Sequence, residues 1–289
     1  MKTPKVSVLM LTCNRPHLIS RAIESIIDQR FQDWELIVVH DGPEKKTVAV
    51  MKAWEARDSR IRYFHREQMG SIGQATNFAL AQARGEYIAV IDDDDYWATT
   101  EKLRQQVAFL DENPDYVACG GGAIVVDPDN NELFRYLKPQ ENDQIKGRAL
   151  VANPLVHSSL MYRAAAARQV GGYDETLAQF QDWDFGLRLG KAGKLYNFPE
   201  YLVYYAMWIG GSSFHNLKKN TRSAFRIVWR YRHSYSHLFP ALSMAVMYHC
   251  YAHCPPFIRK NSFAFLSRLK KLAFAGRPEV AQVPRTVLE

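Results

Sequence analysis

Apolar positions along the first 97 residues fall into short unbroken runs alternating with stretches where they recur every three to four residues. Val6-Ser7-Val8-Leu9-Met10-Leu11-Thr12 reads as a strand covered on both faces. A polar turn, Cys13-Asn14-Arg15-Pro16, follows, and Pro16 suits the first turn of a helix whose apolar stripe is Leu18, Ala22, Ile23, Ile26 and Ile27. A second strand is expected over 34–39, ending in His40-Asp41-Gly42-Pro43, then a helix over 45–56 and a third strand over 61–64. Gly70-Ser71-Ile72-Gly73 is a flexible turn before a helix through Asn77, Leu80 and Ala83. A fourth apolar run, Tyr87-Ile88-Ala89-Val90-Ile91, completes the alternation. Strands alternating with helices in this way predict a mostly parallel sheet with right-handed crossovers. Ligands of such sheets lie beyond the carboxyl ends of the strands, where Asn14, Asp41, Gly70 and Asp92 all fall.

The fourth run ends in Asp92-Asp93-Asp94-Asp95 and then Tyr96-Trp97. In an extended strand Asp92 and Asp94 would point to one face and Asp93 and Asp95 to the other. Four adjacent anions repel unless a cation, a helix N-terminus or an arginine offsets them. Oxygen-only surroundings suit Mg²⁺ or Mn²⁺, which bridge readily to phosphate oxygens. The plainer alternative, Asp95 as the cap of a helix near Thr100, accounts for one aspartate and not for four. For Asp41-Gly42-Pro43 and Asn14-Arg15-Pro16 the plain alternative is ordinary turn chemistry; their place beside the acidic cluster argues for more.

Farther on, a helix through Leu103, Val107 and Leu110 precedes a strand over 116–126 that contains Gly120-Gly121-Gly122, a sign of a bend or a close approach. A hairpin turn is expected at 127–131, a mobile polar loop over 139–148, a strand over 153–162, a short helix over 163–170 and a turn at Gly171-Gly172-Tyr173-Asp174-Glu175. Asp182 then sits where a helix begins. It can be an N-cap or, kept ionised by the helix dipole, a general base facing an acceptor. His157 reads as lining the acceptor side or as a satisfied, partly buried residue.

Composition narrows the class. An apolar fraction of 47% with 12% aromatics supplies a large core and excludes wholesale disorder. Net charge is +7, which favours an anionic partner: nucleotide phosphate, lipid headgroup or nucleic acid. Four scattered cysteines (Cys13, Cys119, Cys250, Cys254) make no disulfide framework. With no signal-peptide pattern at the N-terminus and no apolar run of about 18 residues, the expected location is the cytoplasm, with peripheral contact at the inner face of the membrane as the variant.

The ordered set Asn14-Arg15-Pro16, Asp41-Gly42, the glycine turn with Asn77, Gly85-Glu86-Tyr87 leading to the aspartate quartet, Gly171-Gly172-Tyr173-Asp174-Glu175 and Gln181-Asp182-Trp183-Asp184 resembles family-2 glycosyltransferases of the GT-A fold, over residues 4–210. The resemblance implies an α/β, Rossmann-like catalytic domain over 1–216, with a mostly parallel central sheet flanked by helices. It implies transfer of one sugar, with inversion, from a nucleotide-sugar donor to a hydroxyl of a glycan or lipid-linked acceptor. By the same resemblance Asp92 contacts ribose, Asp94 a divalent metal (Mn²⁺ or Mg²⁺) on the diphosphate, Asp41 the base (usually uracil), and Asp182 acts as catalytic base. Thr12, Asn14, Arg15, Gly70, Asn77 and Asp93 belong to the donor-binding set, and His215 is a further candidate metal ligand. Gln181 stands where the family usually has Glu, and Thr76 where many members have Arg. The Gln-x-x-Arg-Trp motif of processive synthases is absent from the sequence, which points to single-sugar transfer.

From Leu217 the pattern changes. Residues 217–275 hold basic residues interleaved with aromatic and aliphatic ones, the mark of helices lying in a membrane interface or packing on the catalytic domain or a second subunit. Residues 276–289 read as a disordered tail. His249-Cys250 and His253-Cys254 lack distant partners for a zinc site. A nucleotidyltransferase would want a glycine-rich phosphate loop after the first strand, and Cys13-Asn14-Arg15-Pro16 has no glycine. A basic adaptor for membrane or nucleic acid would leave the quartet unexplained, so no nucleic-acid partner is expected.

Overall fold

A computed structural model describes residues 3–67, 69–207 and 217–255. One nine-stranded sheet runs through the catalytic part. Its first half consists of β1 (Val6–Thr12), β2 (Trp34–Asp41), β3 (Ile61–Arg66) and β4 (Tyr87–Asp92), in the order β3-β2-β1-β4 and all parallel. Register is unbroken: Thr12 lies opposite His40, Asp41 opposite Arg66 and Leu11 opposite Asp92. The crossovers are α1 (Ile19–Ile27), α2 (Lys45–Arg57) and α3 (Ile72–Gln82). The expected alternation is therefore present, and one edge collects every strand's carboxyl end.

Pro16 lies before α1 and not in its first turn. Asn14 is in the left-handed region (φ 55°), the Leu18 N–H donates to Arg15 O, and the helix starts only at Ile19. Beyond β4 come β5 (Tyr96–Trp97), α4 (Lys102–Glu112), β6 (Tyr116–Val126), β7 (Glu132–Tyr136), α5 (Asn142–Arg148), β8 (Met161–Arg163), α6 (Ala164–Gln169), α7 (Gln181–Ala192) and β9 (Lys194–Ala206). This half mixes directions: β8 runs antiparallel to β4 and β6, while β6 and β9 run parallel. The hairpin expected at 127–131 joins β6 to β7. Register between β6 and β9 slips on both sides of Gly122, where an added Cβ would lie 2.5 Å from Leu137 and 2.6 Å from the Tyr136 carbonyl. The triple glycine thus marks a close approach, as its sequence suggests.

Two expectations fail here. Residues 139–148 are not a mobile loop: α5 occupies 142–148 with Ile145 fully buried, and its approach is tied to β9 by Asn197 N–H to Gln140 O (3.0 Å). The strand expected over 153–162 shrinks to Met161–Arg163, because residues 157–159 coil into a 3₁₀ turn. There Ser159 Oγ donates to Val156 O (2.9 Å) and accepts from the Gly121 N–H (3.0 Å), replacing ladder bonds with side-chain ones.

Apolar clusters fill both faces of the sheet. A third cluster joins Ala149, Leu150, Leu177, Trp183 and Leu187 to the final helices, α8 (Leu217–Tyr231) and α9 (Leu238–His253), through Ala224, Ile227, Val228, Tyr231 and Ala241. Fully burying one such aliphatic or aromatic side chain stabilises by about 1.5–3 kcal/mol. The basic extension is therefore bound to the catalytic part along α8.

Candidate active site

The site grows from the carboxyl edge of the parallel strands. After β1, Thr12 is buried, Cys13 is exposed, and Asn14 turns the chain back on itself. Asn14 then lies against Gly42, where an added Cβ would meet Asn14 Oδ1 at 2.8 Å, so the Asp41-Gly42 corner needs glycine. Asp41 Oδ1 accepts the Met69 N–H (2.7 Å), which fixes the path from β3 to α3 through Gly70 (φ 85°). His65 Nε2 bonds to Gly42 O (2.8 Å) and closes the corner from β3.

At the end of β4 the chain leaves strand geometry, with the Asp95 N–H donating to Asp92 O (3.1 Å). The four aspartates still alternate in burial, but through a turn and not through strand pleating. Asp92 is 44% exposed and Asp94 20%, while Asp93 and Asp95 are each 1% exposed. Arg15 supplies the positive charge that four adjacent carboxylates need: its Nη1 is 2.5 Å from Asp94 Oδ2 and its Nη2 3.2 Å from Asp93 Oδ1. Burial pushes the Asp93 carboxyl up to about 7 despite Arg15, and neither oxygen has a well-directed hydrogen bond. Burial also raises Asp94 above the usual carboxylate range, against the pull of Arg15.

Asp95 is not the helix cap that its sequence allows. Its oxygens accept from Ser158 Oγ–H (2.5 Å) and the Ala206 N–H (2.9 Å), so it pins the acidic turn to the end of β9. Glu101 occupies the cap position of α4. Burial, then the charges of Asp92 and Asp94, raise Asp95 well above the usual range. Ser158 also accepts the Asp92 N–H (3.1 Å). His157 bridges outward, with Nδ1 3.5 Å from Asp92 Oδ1 and Nε2 3.3 Å from the Tyr173 hydroxyl. Burial opposes the charged form of His157, but Asp92 outweighs it and raises its pKa. In turn His157 and Arg15 hold Asp92 below its ordinary value against the effect of burial.

Asp182 stands in the first turn of α7 and is partly exposed. It is not the N-cap; Phe180 holds that place in a left-handed conformation (φ 64°). Asn153 Nδ2 donates to Asp182 Oδ2 (2.6 Å) and aims the carboxylate. Burial, then the charges of Asp95 and Asp182, raise the Tyr136 phenol. Burial, then Asp95, likewise raises the Tyr205 hydroxyl. Tyr136 and Tyr205 thus lie within electrostatic reach of Asp95. No motif signals them: Tyr136 ends the short strand Glu132–Tyr136 and Tyr205 lies near the end of β9.

Asn77 is the expected donor-site residue whose side chain is otherwise engaged. Its Oδ1 accepts the Tyr173 N–H (2.7 Å) and its Nδ2 donates to Tyr173 O (2.9 Å) and Glu175 Oε1 (2.8 Å), so it clasps the 171–175 turn. His215 lies outside the described residues. Among the described residues no three His, Cys, Asp or Glu side chains converge into a closed metal cage. What the quartet offers is a hard, oxygen-only set with Asp94 and Asp92 open to the cleft. That fits Mg²⁺ or Mn²⁺, which take one or two protein carboxylates and complete their shell with phosphate and water.

The model of the family described as "Glycosyl transferase family 2" matches residues 7–171. The chain belongs to that family. An uncharacterised glycosyltransferase of Methanocaldococcus jannaschii is 32% identical over 192 residues, 65% of this chain, and the match spans 65% of that protein's length. Among solved structures, Staphylococcus aureus TarS in complex with UDP-GlcNAc superposes with a TM-score of 0.62 at 18% identity, covering 93% of this chain and 77% of that one. The mannosyltransferase PcManGT of Pyrobaculum calidifontis, solved with GDP-Man and Mn²⁺, gives 0.60 at 16%, covering 95% and 82%. These likenesses extend the GT-A architecture across the chain's mixed half, and the family match contains the whole donor edge.

Proposed function

We propose that this family-2 glycosyltransferase moves one sugar from a UDP-sugar to a hydroxyl of a glycan or lipid-linked acceptor, with inversion at the anomeric carbon. The observation carrying this reading is the placement of Asp41, Asp92 and Asp94 at one carboxyl edge, with His157 under the charge of both Asp92 and Asp182. Asp41 keeps one oxygen for a base N–H after binding Met69. Asp92, the most exposed of the quartet, accepts from a ribose hydroxyl. Thr12, Asn14 and Gly70 border the nucleotide, and Arg15 stands beside the diphosphate.

Asp94 would hold Mn²⁺ or Mg²⁺, which supplies positive charge against the departing nucleoside diphosphate. Asp182 takes the proton of the acceptor hydroxyl while that oxygen bonds to the anomeric carbon. The carbon–oxygen bond to the diphosphate breaks on the opposite face, and its electron pair leaves with the diphosphate. Asn153 holds the Asp182 carboxylate in place for this attack. A thermal-shift screen of nucleotide sugars with and without Mn²⁺ tests the donor: a UDP-sugar should raise Tm by several degrees only with metal. Equal shifts with every nucleotide, or none, would contradict the reading.

The extension supports a membrane-facing acceptor. Residues 217–275 hold eleven Lys and Arg and no Asp or Glu, and Trp229, Phe239 and Val246 are 59%, 81% and 50% exposed. No helix among the described residues is long and apolar enough to cross a bilayer, so the contact would be peripheral, on the cytoplasmic face of the inner membrane. Flotation with liposomes containing anionic lipid should carry the full-length chain upward. Concentration-dependent dimers without flotation would instead assign the surface to a second copy.

A further inference from the structure

Two residues beyond Asp182 on the same helical turn stands Asp184, fully buried and facing the C-terminal helices. Its Oδ2 accepts from Arg188 Nε (2.8 Å). Its Oδ1 accepts from Arg230 Nη1 (2.8 Å) and from the Tyr231 hydroxyl (2.8 Å), both on α8. The same Arg230 nitrogen donates to Asp174 Oδ2 (2.7 Å) in the 171–175 turn. Residues two apart on a helix lie about 200° apart around its axis, so Asp184 is gripped from behind while Asp182 faces the cleft. Tyr235 adds a bond to Leu187 O (2.6 Å) farther along α7. Ile227, Val228 and Tyr231 share an apolar cluster with Trp183 and Leu187.

The turn that Arg230 holds is also the one that reaches the donor side. Tyr173, beside Asp174, stacks on Phe185 of α7 (centroids 4.1 Å apart) and meets His157, which meets Asp92. Arg230 therefore sits where the base-bearing helix, the 171–175 turn and the supposedly separate extension come together. A buried carboxylate with three charged or hydroxyl donors has little freedom. Anchoring it fixes the first turn of α7, and Asn153 fixes the Asp182 carboxylate from the other side.

We infer that Arg230 is a positioning residue for the transfer reaction: acting through Asp184, it holds α7 so that Asp182 meets the acceptor hydroxyl. This makes α8 part of the catalytic unit, and it rests on Asp182 being the base. Displacements near 1 Å in a base lower turnover by up to about 100-fold, while the UDP contacts proposed at Asp41 and Asp94 are held by Met69 and Arg15, which Arg230 does not touch, and Asp92 is reached only at third hand, through Tyr173 and His157. Arg230→Ala should therefore lower kcat about 10- to 100-fold and leave the Kd for UDP with Mn²⁺ within about 2-fold. Arg230→Lys should restore part of the rate, since one nitrogen makes both bonds.

The decisive arm is a double-mutant cycle. In an Asp182→Asn background the base is gone, and Arg230→Ala should then change the residual rate less than about 3-fold. Wild-type kcat in Arg230→Ala would overturn the inference, as would the same fold-loss with or without Asp182, or a parallel loss of UDP affinity. If the alanine variant does not fold, Arg230→Met keeps an apolar stem and no donor, and unchanged kcat in that folded variant is equally fatal. Near-normal transfer by Asp182→Asn alone would refute the base assignment instead, which separates the two failures.

Discussion

Strands β3, β2, β1 and β4 pair in parallel without a register break, whereas β8, β6, β9, β5 and β7 mix directions and slip around Gly122. The first group positions Asp41 and Asp92 by backbone repetition: each strand ends at the same edge because each helical crossover returns the chain to run parallel. The second positions Asp182 by individual side-chain contacts, among them Asn153, Asp184, Arg188 and Arg230. On the proposed reading, the donor contacts rest on a regular sheet and the base on a few buried polar bonds.

That contrast breaks most visibly in kinetics. Asp182→Asn should lower kcat by about 10² or more while UDP affinity stays within about 2-fold; a loss of UDP binding in the same variant would mean the two halves are not separable. Gly122→Ala probes the mixed half's packing. The added methyl would press on Leu137 and the Tyr136 carbonyl, and the expected loss is about 1–3 kcal/mol by denaturant unfolding. An unchanged midpoint would show that β6, β7 and β9 can shift where the register slips.

The joint between the halves holds a buried lysine. Lys102 is fully buried, with Nζ 2.7 Å from Gln106 Oε1 and 4.2 Å from the Trp97 ring centroid, and Gln106 in turn binds Ser159 O (2.9 Å). Burial lowers its pKa from 10.5 to about 7. A depressed lysine contributes fully only above about 10.5 and loses that contribution as pH falls through 7. Lys102→Met should thus stabilise the fold most below pH 7, by on the order of 1–3 kcal/mol, and least near pH 10. A gain independent of pH would contradict a neutral amine. The smallest effect is expected for Arg15→Ala, which leaves Asp94 without its cation. Its Tm should drop by a few degrees with EDTA, equivalent to about 1 kcal/mol, and recover with Mn²⁺; loss that metal cannot repair would make Arg15 structural.

The same contrast explains what could be read in advance. In the parallel half, buried strands such as Val6–Thr12 are continuously apolar, so their spacing placed Asn14, Asp41, Gly70 and Asp92 on one edge. In the mixed half, α5 rests on the single buried residue Ile145, and the turn at 157–159 is set by Ser158 and Ser159 hydroxyls bonding to distant backbone. Neither leaves a periodic signal. Asn77 entered the donor set through the resemblance alone, since its partners Tyr173 and Glu175, 96 and 98 positions away, meet it only in the folded chain. Asp95 was indistinguishable from its neighbours until β9 supplied the Ala206 N–H. Arg230 read as one more basic residue of a surface helix, since Asp174 and Asp184 are near it only in the folded chain.

Calorimetric titration of UDP into the wild-type chain and into Asp94→Ala, each with Mn²⁺ and with EDTA, bears most directly on the acidic turn as a metal-diphosphate grip. Binding to wild type should tighten at least about 10-fold with Mn²⁺, and Asp94→Ala should bind alike under both conditions, at the EDTA level of wild type. Metal enhancement that survives in Asp94→Ala, or wild-type binding indifferent to metal, would show that the quartet is not where the diphosphate is held.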